Sequence, residues 1–314
     1  RYLIHLAYSE LGTKPLTPIF LFEKNLRKKL LDQYSLEDVR RVEKIFSDTS
    51  PLDLCIKTTS TKKIFLKEIK GSSFDHSHLR LSQNVSLMET KGYLTGDWWV
   101  QSLAASLPVK LAPMSFKGKT VLDVCCAPGG KSFQLADNNA ILTSIDKSEK
   151  RLKLMRQSLS RLDYDFDLIC MDILDYEPKK LFDIILLDPP CTATGTIGKN
   201  PDLQFLDPLE KLDELTKIQQ KMLERCSGWI VENGFIIYST CSLLKEEGED
   251  QINKFLRNNR RFRAVHPENK DQLNQEGFQI QKDSGIRIMP FFEEKLGGTE
   301  GFYIAYLQAT GKKN

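Results

Sequence analysis

Apolar positions along the 314-residue chain change their spacing twice. Up to about residue 46 they recur every three or four positions: Tyr2, Leu3, Leu6 and Ala7, then Phe20, Leu21, Leu26, Leu30 and Leu31, then Val39, Val42 and Ile45. That period predicts helices, the first two separated by Pro15 and Pro18. From Pro51 the texture becomes short β-like runs, Leu52 to Ile56, Ile64 to Leu66 and Val85 to Met88, broken by polar turns, as in a small α+β region. Gly92 to Leu107 carries Trp98 and Trp99 and then a short apolar helix. The two tryptophans are expected to pack rather than to stack on bases.

After Pro113 strands and helices alternate. The predicted strands are Thr120 to Val124, Ile141 to Ile145 closing on Asp146, Phe166 to Cys170 closing on Asp172, Phe182 to Leu187, and Gly234 to Tyr238. Helices are predicted from Lys131, over Arg151 to Leu162, and through Leu209, Leu212, Leu215, Met222, Leu223 and Cys226. Such alternation implies an α/β fold, a doubly wound, mainly parallel Rossmann-like sheet with right-handed crossovers. Phe302 to Leu307 reads as a late, antiparallel strand.

Within this pattern Val121 to Lys131 reads Val-Leu-Asp-Val-Cys-Cys-Ala-Pro-Gly-Gly-Lys: a buried strand, a tight turn and a helix N-terminus. Glycines there let the backbone approach a ligand, and open α/β sheets bind ligands at the carboxyl ends of their strands. The stretch is neither Gly-x-Gly-x-x-Gly nor a P-loop. Each predicted strand ends in a polar or reactive residue, so Asp146, Asp172, Asp188, Cys191 and Cys241 should converge near the turn. Asp146 can accept both hydroxyls of a ribose, or cap the next helix. Asp172 can accept from an adenine amino group, or simply form a turn.

Composition narrows the class. Hydrophobic content of 40% and charge content of 28% suit a globular chain long enough for two or so domains. No apolar run spans a bilayer and no signal-peptide pattern opens the chain, so a cytoplasmic location is expected; the first residue is Arg1 rather than Met. Seven cysteines (55, 125, 126, 170, 191, 226 and 241) at irregular spacing argue for reduced thiols, and with four histidines they give no metal-ligand pattern. Net charge of +3 is only mildly basic. The first quarter is richer, with Lys24, Arg27, Lys28, Lys29, Arg40, Arg41 and Lys44, then Lys57, Lys62, Lys63, Lys67 and Lys70. Interspersed Asp32, Glu37, Asp38 and Glu43 leave a solvated helix face as the alternative to a phosphate-binding surface.

With Asp188-Pro189-Pro190-Cys191, Asn200-Pro201-Asp202 and Tyr238-Ser239-Thr240-Cys241-Ser242, followed by Glu246-Glu247, in order after the Ala-Pro-Gly-Gly-Lys turn, the chain resembles the Nop/Sun family of S-adenosylmethionine-dependent RNA (cytosine-5)-methyltransferases. It is most like the bacterial ribosomal RNA small subunit methyltransferase B group, over roughly Leu52 to Leu307. The resemblance implies a class I methyltransferase sheet. It makes Cys241 the nucleophile and Cys191, Asp188 and Lys131 its catalytic partners. Cys125, Cys126, Ala127, Pro128, Gly129, Gly130, Lys131, Asp146, Arg151, Asp172 and Asp188 would hold S-adenosylmethionine and the target base. The RNA would be ribosomal, with 16S RNA favoured, or transfer RNA. Three parts are expected: a helical segment 1–46, an α+β RNA-positioning region 47–112 and a catalytic domain 113–314. Members usually have Ala where Cys126 stands, Asp where Ser102 stands, His where Asn200 precedes Pro201, and Asp where Glu300 stands. Members of the methyltransferase B group also carry a longer helical domain ahead of this region, so the chain is expected to be shortened there or to be a member with a reduced N-terminus.

The chemistry asks for the same residue types. Carbon 5 of cytosine is a poor nucleophile until a group adds to carbon 6, and a thiolate is both a strong nucleophile and a competent leaving group. A free Cys is mostly protonated at neutral pH, so positive charge nearby must help. Lys131 is the candidate, with a surface role as the alternative. Asp188 can hydrogen-bond the protonated base edge, and Cys191 can take the carbon-5 proton. The base must be single-stranded or flipped out. Two other classes compete: an amino-group methyltransferase, which commonly has an aromatic residue where Cys191 stands, and a non-enzymatic RNA-binding factor on a decayed methyltransferase fold.

Overall fold

The computed structural model describes residues 20–48, 50–58, 71–73, 77–81, 86–268, 276–281 and 285–311. The expected helix near Tyr2 to Ala7, Pro15 and Pro18, the run Ile64 to Leu66, and Lys62, Lys63, Lys67 and Lys70 lie outside them.

Two helices open the described chain, α1 (Lys24–Leu31) and α2 (Leu36–Ser47). The Ser35 hydroxyl caps α2 by accepting from Asp38 N at 3.0 Å, which satisfies one of the amides left open at a helix start. Their apolar faces, with Leu26, Leu30, Val39, Val42, Ile45 and Phe46, pack on Ile197, Leu243, Leu244, Met289 and Phe291. Fully burying such side chains stabilises by roughly 1.5–3 kcal/mol each.

The next region is a small antiparallel sheet of β1 (Leu52–Ile56), β2 (Gly71–Ser73), β3 (His78–Leu81) and β4 (Trp98–Val100), in the order β2-β3-β1-β4. Trp98 and Trp99 are buried. The run expected to be a strand at Val85 to Met88 is a turn where it is described, with Met88 exposed; too few apolar positions there could face a core. A buried pair locks this sheet to the rest: Asp53 accepts from Arg80 Nε (2.7 Å) and NH2 (2.9 Å) and from Leu103 N (3.0 Å), while Arg80 NH1 donates to the carbonyls of Leu296 and Gly298.

A second sheet holds β5 (Thr120–Val124), β6 (Ile141–Asp146), β7 (Asp167–Cys170), β8 (Phe182–Leu187), β9 (Ile230–Thr240), β10 (Phe262–Val265), β11 (Phe278–Gln281), β12 (Gly285–Ile288) and β13 (Phe302–Ala309). Its order is β11-β12-β13-β9-β8-β5-β6-β7, with β10 pairing β13. The β5 to β9 pairs are parallel, as the alternation predicts, and β13 is antiparallel to β9. Beyond β13 the sheet continues antiparallel through β12 and β11, so the whole is mixed. The fifth parallel strand starts at Ile230 rather than Gly234, because a register shift against Phe182 and Ile184 carries pairing past a polar bulge.

Alternate residues of the central strands face opposite layers, as the pleat requires. Leu122, Val124, Ile185 and Leu187 meet Met222 and Leu223 of α6 (Leu212–Ser227) and Ile252 and Phe255 of α7 (Glu249–Asn258). Val121, Ile184 and Leu186 meet Leu103 and Leu107 of α3 (Leu103–Lys110) and Leu135 of α4 (Gly130–Asp137). Helix α5 (Glu149–Leu162) begins before the expected Arg151, because Ser148 is its N-cap. Among the described residues no helix is long and apolar enough to cross a membrane.

Candidate active site

The sheet order reverses beside β5, between the connection that leads outward to β7 and the one that returns to β8. Ligands of open α/β sheets bind at such a switch point, beyond the carboxyl ends of the strands. The parallel pairing runs Val124 opposite Ile145 and Leu187, and Leu187 opposite Tyr238, which brings the strand ends level. A cavity of about 390 Å³ opens there. Cys125, Ala127, Pro128, Asp146, Arg151, Asp172, Asp188, Cys191 and Cys241 all line it, so most of the residues singled out in the sequence meet at one place.

The volume lies within the range that takes a small molecule, and the donor set suits a nucleoside-bearing one. Asp146, at the end of β6, is buried; its carboxylate accepts from Ala127 N (3.1 Å) and Ser148 N (2.9 Å) and lies 3.5 Å from Arg151 NH1. Each carboxylate oxygen keeps a lone pair for a ligand hydroxyl. Asp146 thus orders the turn and lines the cavity together. Asp172 does likewise: one oxygen accepts from Leu174 N at 3.0 Å and the other lies 3.7 Å from Lys147 Nζ.

The Pro-Gly-Gly turn works differently from the expectation. Neither Cys126 nor Gly129 nor Gly130 lines the cavity. Cys126 is a correction: its amide donates to Ile145 O (3.2 Å) and its thiol lies 3.8 Å from the Met155 sulfur among Phe133, Leu152 and Met155, so neither group is left for a ligand. Gly129 caps α4 at φ 112°, and a Cβ there would lie 2.6 Å from the Phe133 ring. Glycine is required at this point by backbone conformation and packing. Lys131 is buried, which removes the surface alternative, and its Nζ donates to Asp188 at 2.6 Å. Burial disfavours its charge, but the Asp188 carboxylate more than offsets that and raises its pKa.

Cys191 and Cys241 are both half-buried, and their sulfur atoms are 3.5 Å apart, unbonded. The Cys191 thiol is pushed well above the usual range by its hydrogen bond with Cys241, by burial and by the negative charges of Glu247 and Asp188. Cys125, also on the cavity wall, has its thiol pushed up to about 12, chiefly by burial, and is poorly suited to be a nucleophile. Cys125 (φ 60°) and Ala193 (φ 53°) are in the left-handed backbone region. Such conformations cost on the order of 1 kcal/mol or more and gather at functional sites.

Behind the two cysteines is a polar cluster that the sequence does not announce. Thr192 N and Oγ1 both donate to buried Glu247, the amide at 2.9 Å, and Gln219 Nε2 donates to Glu247 at 2.9 Å. Thr192 Oγ1 is 3.1 Å from Ser242 Oγ, which is 3.2 Å from Thr194 Oγ1. Gly195 N donates to Cys241 O at 2.9 Å, and a Cβ on Gly195 would collide with Gly301 O. Buried Arg287 donates to Ser242 O and forms an ion pair with Glu249. From outside, Tyr34 donates to Leu243 O (2.7 Å) and Gln33 accepts from Lys245 N (2.9 Å), so the α1–α2 pair braces the loop after Cys241. The only sequence signal for this cluster is Glu246-Glu247 behind the second cysteine.

Two positions where the chain departs from the usual family residues touch each other. The Ser102 hydroxyl donates to Glu300, which also pairs with Lys199 Nζ at 2.7 Å. A longer acid opposite a shorter partner keeps the contact. Among the described residues no group of three or more His, Cys, Asp or Glu side chains is arranged to hold a metal ion.

Comparison with known proteins gives a consistent setting. The family model described as 16S rRNA methyltransferase RsmB/F matches residues 109–308. The chain is similar to the ribosomal RNA small subunit methyltransferase B of Pseudomonas syringae pv. tomato, 32% identical over 249 residues, covering 76% of this chain and 53% of that protein. It is also similar to the protein of that name from Shewanella oneidensis, 37% identical over 170 residues, covering 52% of this chain and 39% of that one. The chain therefore spans about half the length, or less, of these curated relatives. The crystal structure of NSun6 from Pyrococcus horikoshii with SFG matches with a TM-score of 0.77 and 19% identity, over 93% of this chain and 99% of that one, a likeness of fold.

Proposed function

Since the chain belongs to the 16S rRNA methyltransferase RsmB/F family, we propose that it methylates carbon 5 of a cytosine in ribosomal RNA, with 16S RNA as the substrate, through a covalent cysteine adduct. The observation that carries this reading is the pair of thiols 3.5 Å apart on the wall of a nucleoside-sized cavity. A methyltransferase acting on an amino group has no use for two thiols facing one base. S-adenosylmethionine, held by Asp146, Asp172 and the turn at Cys125, Ala127 and Pro128, supplies the methyl group that carbon 5 takes up. The Cys241 thiolate adds to carbon 6, and Asp188, steadied by Lys131, hydrogen-bonds the protonated base edge. Cys191 then takes the carbon-5 proton and Cys241 leaves. The two sulfurs are 3.5 Å apart, so the proton that the Cys191 thiol holds can pass to the departing Cys241 sulfur as Cys191 takes the one from carbon 5.

The test is methyl transfer to 16S RNA with purified protein, backed by bisulfite maps of total RNA from cells with and without it. Loss of a bisulfite-resistant cytosine from transfer RNA in cells without the protein, with 16S RNA unchanged, would move the substrate to transfer RNA.

Asp146→Asn is expected to weaken S-adenosylmethionine binding by about 10- to 100-fold, since hydrogen bonds to a charged acceptor contribute roughly 1.5–3 kcal/mol. Asn keeps an acceptor for one of the two amides that Asp146 holds, whereas Ala would orphan both. Calorimetry giving unchanged affinity would remove Asp146 from the cofactor site.

RNA positioning is assigned to the helical segment and the α+β region ahead of the catalytic part, in a reduced form. Arg27 pairs with Glu43, Lys29 with Glu246, Arg41 with Glu276 and Glu294, and Lys44 with Glu294, so much of the basic cluster serves the fold. Lys24, Lys28 and Arg40 are exposed. Reversing these three charges is expected to lower the slope of log affinity against log salt by about 1 for every phosphate they neutralise. An unchanged slope across a salt series would assign them to a solvated helix face.

A further inference from the structure

The loop that carries Cys191 is held by one buried carboxylate that neither lines the cavity nor hydrogen-bonds either sulfur. Glu247 is 0% exposed. One of its oxygens accepts from Thr192 N and Gln219 Nε2, both at 2.9 Å, and the other from the Thr192 hydroxyl. Thr192 is the residue directly after Cys191, and its hydroxyl lies 3.1 Å from that of Ser242, the residue directly after Cys241. Gln219 adds a bond to Pro190 O (2.9 Å), on the other side of Cys191. The Glu247 main chain is fixed as well, since its carbonyl accepts from Tyr238 OH at 2.8 Å. A carboxylate buried this deeply is costly unless its bonds are made, and here they are all made to the Cys191 loop and its support.

We propose that Glu247 is a positioning residue that sets Cys191, through Thr192, at the place from which it removes the carbon-5 proton, while leaving the attack by Cys241 to other supports. The inference rests on the methyltransferase reading above. The asymmetry comes from the contacts. Cys241 follows directly on β9, which is paired on both sides, and its carbonyl is fixed by Gly195 N. Cys191 follows Pro189-Pro190 and precedes Ala193, a residue in left-handed conformation, in a stretch without helix or strand. Such a segment keeps its geometry only where the surroundings impose it, and Glu247 supplies two of the bonds that do so. In the step concerned the C5–H bond breaks and its proton passes to the Cys191 sulfur. The electron pair left behind forms the C5–C6 double bond, and the Cys241 sulfur departs with the pair of the carbon–sulfur bond and takes up the proton that the Cys191 thiol held, 3.5 Å away. Misplacing a proton acceptor by an ångström can cost about 100-fold.

The test uses the full chain, S-adenosylmethionine and a protein-free 16S RNA transcript tritiated at carbon 5 of its cytosines. Adduct formation is read on denaturing gels and elimination by tritium release. Glu247→Ala is expected to form adduct at close to the wild-type rate and to resolve it about 10- to 100-fold more slowly, so that adduct accumulates. Glu247→Gln is expected to restore release to within about threefold, because its carbonyl oxygen can accept from Thr192 N and Gln219 while its amide donates to the Thr192 hydroxyl. Should Glu247→Ala fail to fold, Thr192→Val, which deletes one hydroxyl with its contacts to Glu247, Ser242 and Thr194 and leaves the Thr192 amide bond to Glu247 in place, is expected to show the same slowed release with attack preserved. Equal losses in formation and release, unchanged release, or a Gln variant as slow as Ala would overturn the inference. Wild-type protein that forms no adduct and releases no tritium would overturn the methyltransferase reading itself.

Discussion

Replacing Cys241 with alanine is expected to abolish methyl transfer and covalent capture of RNA together, with a loss of at least about 10⁴-fold, the scale on which deleting a covalent nucleophile acts. The fold should tolerate the change. Cys241 is half-buried, its carbonyl contact with Gly195 N does not involve the side chain, and β9 is held by β8 and β13 up to Thr240. What disappears is the sulfur that stands on the cavity wall at the end of β9. Cys125 is a poor substitute, since burial pushes its thiol up to about 12. Filter binding with S-adenosylmethionine labelled in its methyl group, together with a denaturing gel, checks both losses; residual methylation above about one part in a thousand would assign attack elsewhere.

Replacing Cys191 with alanine is expected to do the opposite to the adduct. Attack and methyl transfer should proceed, but the carbon-5 proton then has no acceptor, turnover falls by roughly 10²- to 10⁴-fold, and protein crosslinked to methylated RNA accumulates. The environment of Cys191 points to this division. Its proton is held by the hydrogen bond with the neighbouring Cys241 sulfur, by burial, and by the charges of Glu247 and Asp188. Lys131, whose charge is secured by Asp188, is a buried cation within electrostatic reach of Cys241. An adduct that persists in Cys241→Ala and is missing in Cys191→Ala would reverse the roles.

The parallel half of the sheet is legible in the chain because its strands are short, mainly apolar stretches that run into a polar or reactive residue: Asp146, Asp188 and Cys241 appear in the structure where those stretches end. β11 and β12 are not legible in this way. They are four-residue strands, and β12 buries Arg287, a residue that periodicity assigns to solvent; only the pairing with Glu249 and Ser242 O explains it. The glycine turn is legible in part. Its strand, turn and helix fall as expected, yet Cys126 and Gly129 face Phe133 and Met155 rather than the cavity, because the sequence cannot tell which side of a tight turn meets protein. The basic N-terminal cluster serves the fold more than its charges suggest, for a related reason. Charge signs are visible in a sequence, but Glu246, Glu276 and Glu294, which neutralise Lys29, Arg41 and Lys44, lie more than two hundred residues away. The Glu247 cluster joins three separate segments, at Thr192, at Gln219 and from Ser242 to Glu247, and no local pattern announces such a junction.

The central claim is that carbon 5 of cytosine is methylated through a Cys241 adduct, and simultaneous counting of methyl groups gained and tritium released tests it most directly. With 16S RNA tritiated at carbon 5 of its cytosines, wild-type protein should release one tritium for each methyl group incorporated, and Cys241→Ala should do neither. Methyl incorporation without tritium release would contradict the claim, because it would place the methyl group on an atom other than carbon 5.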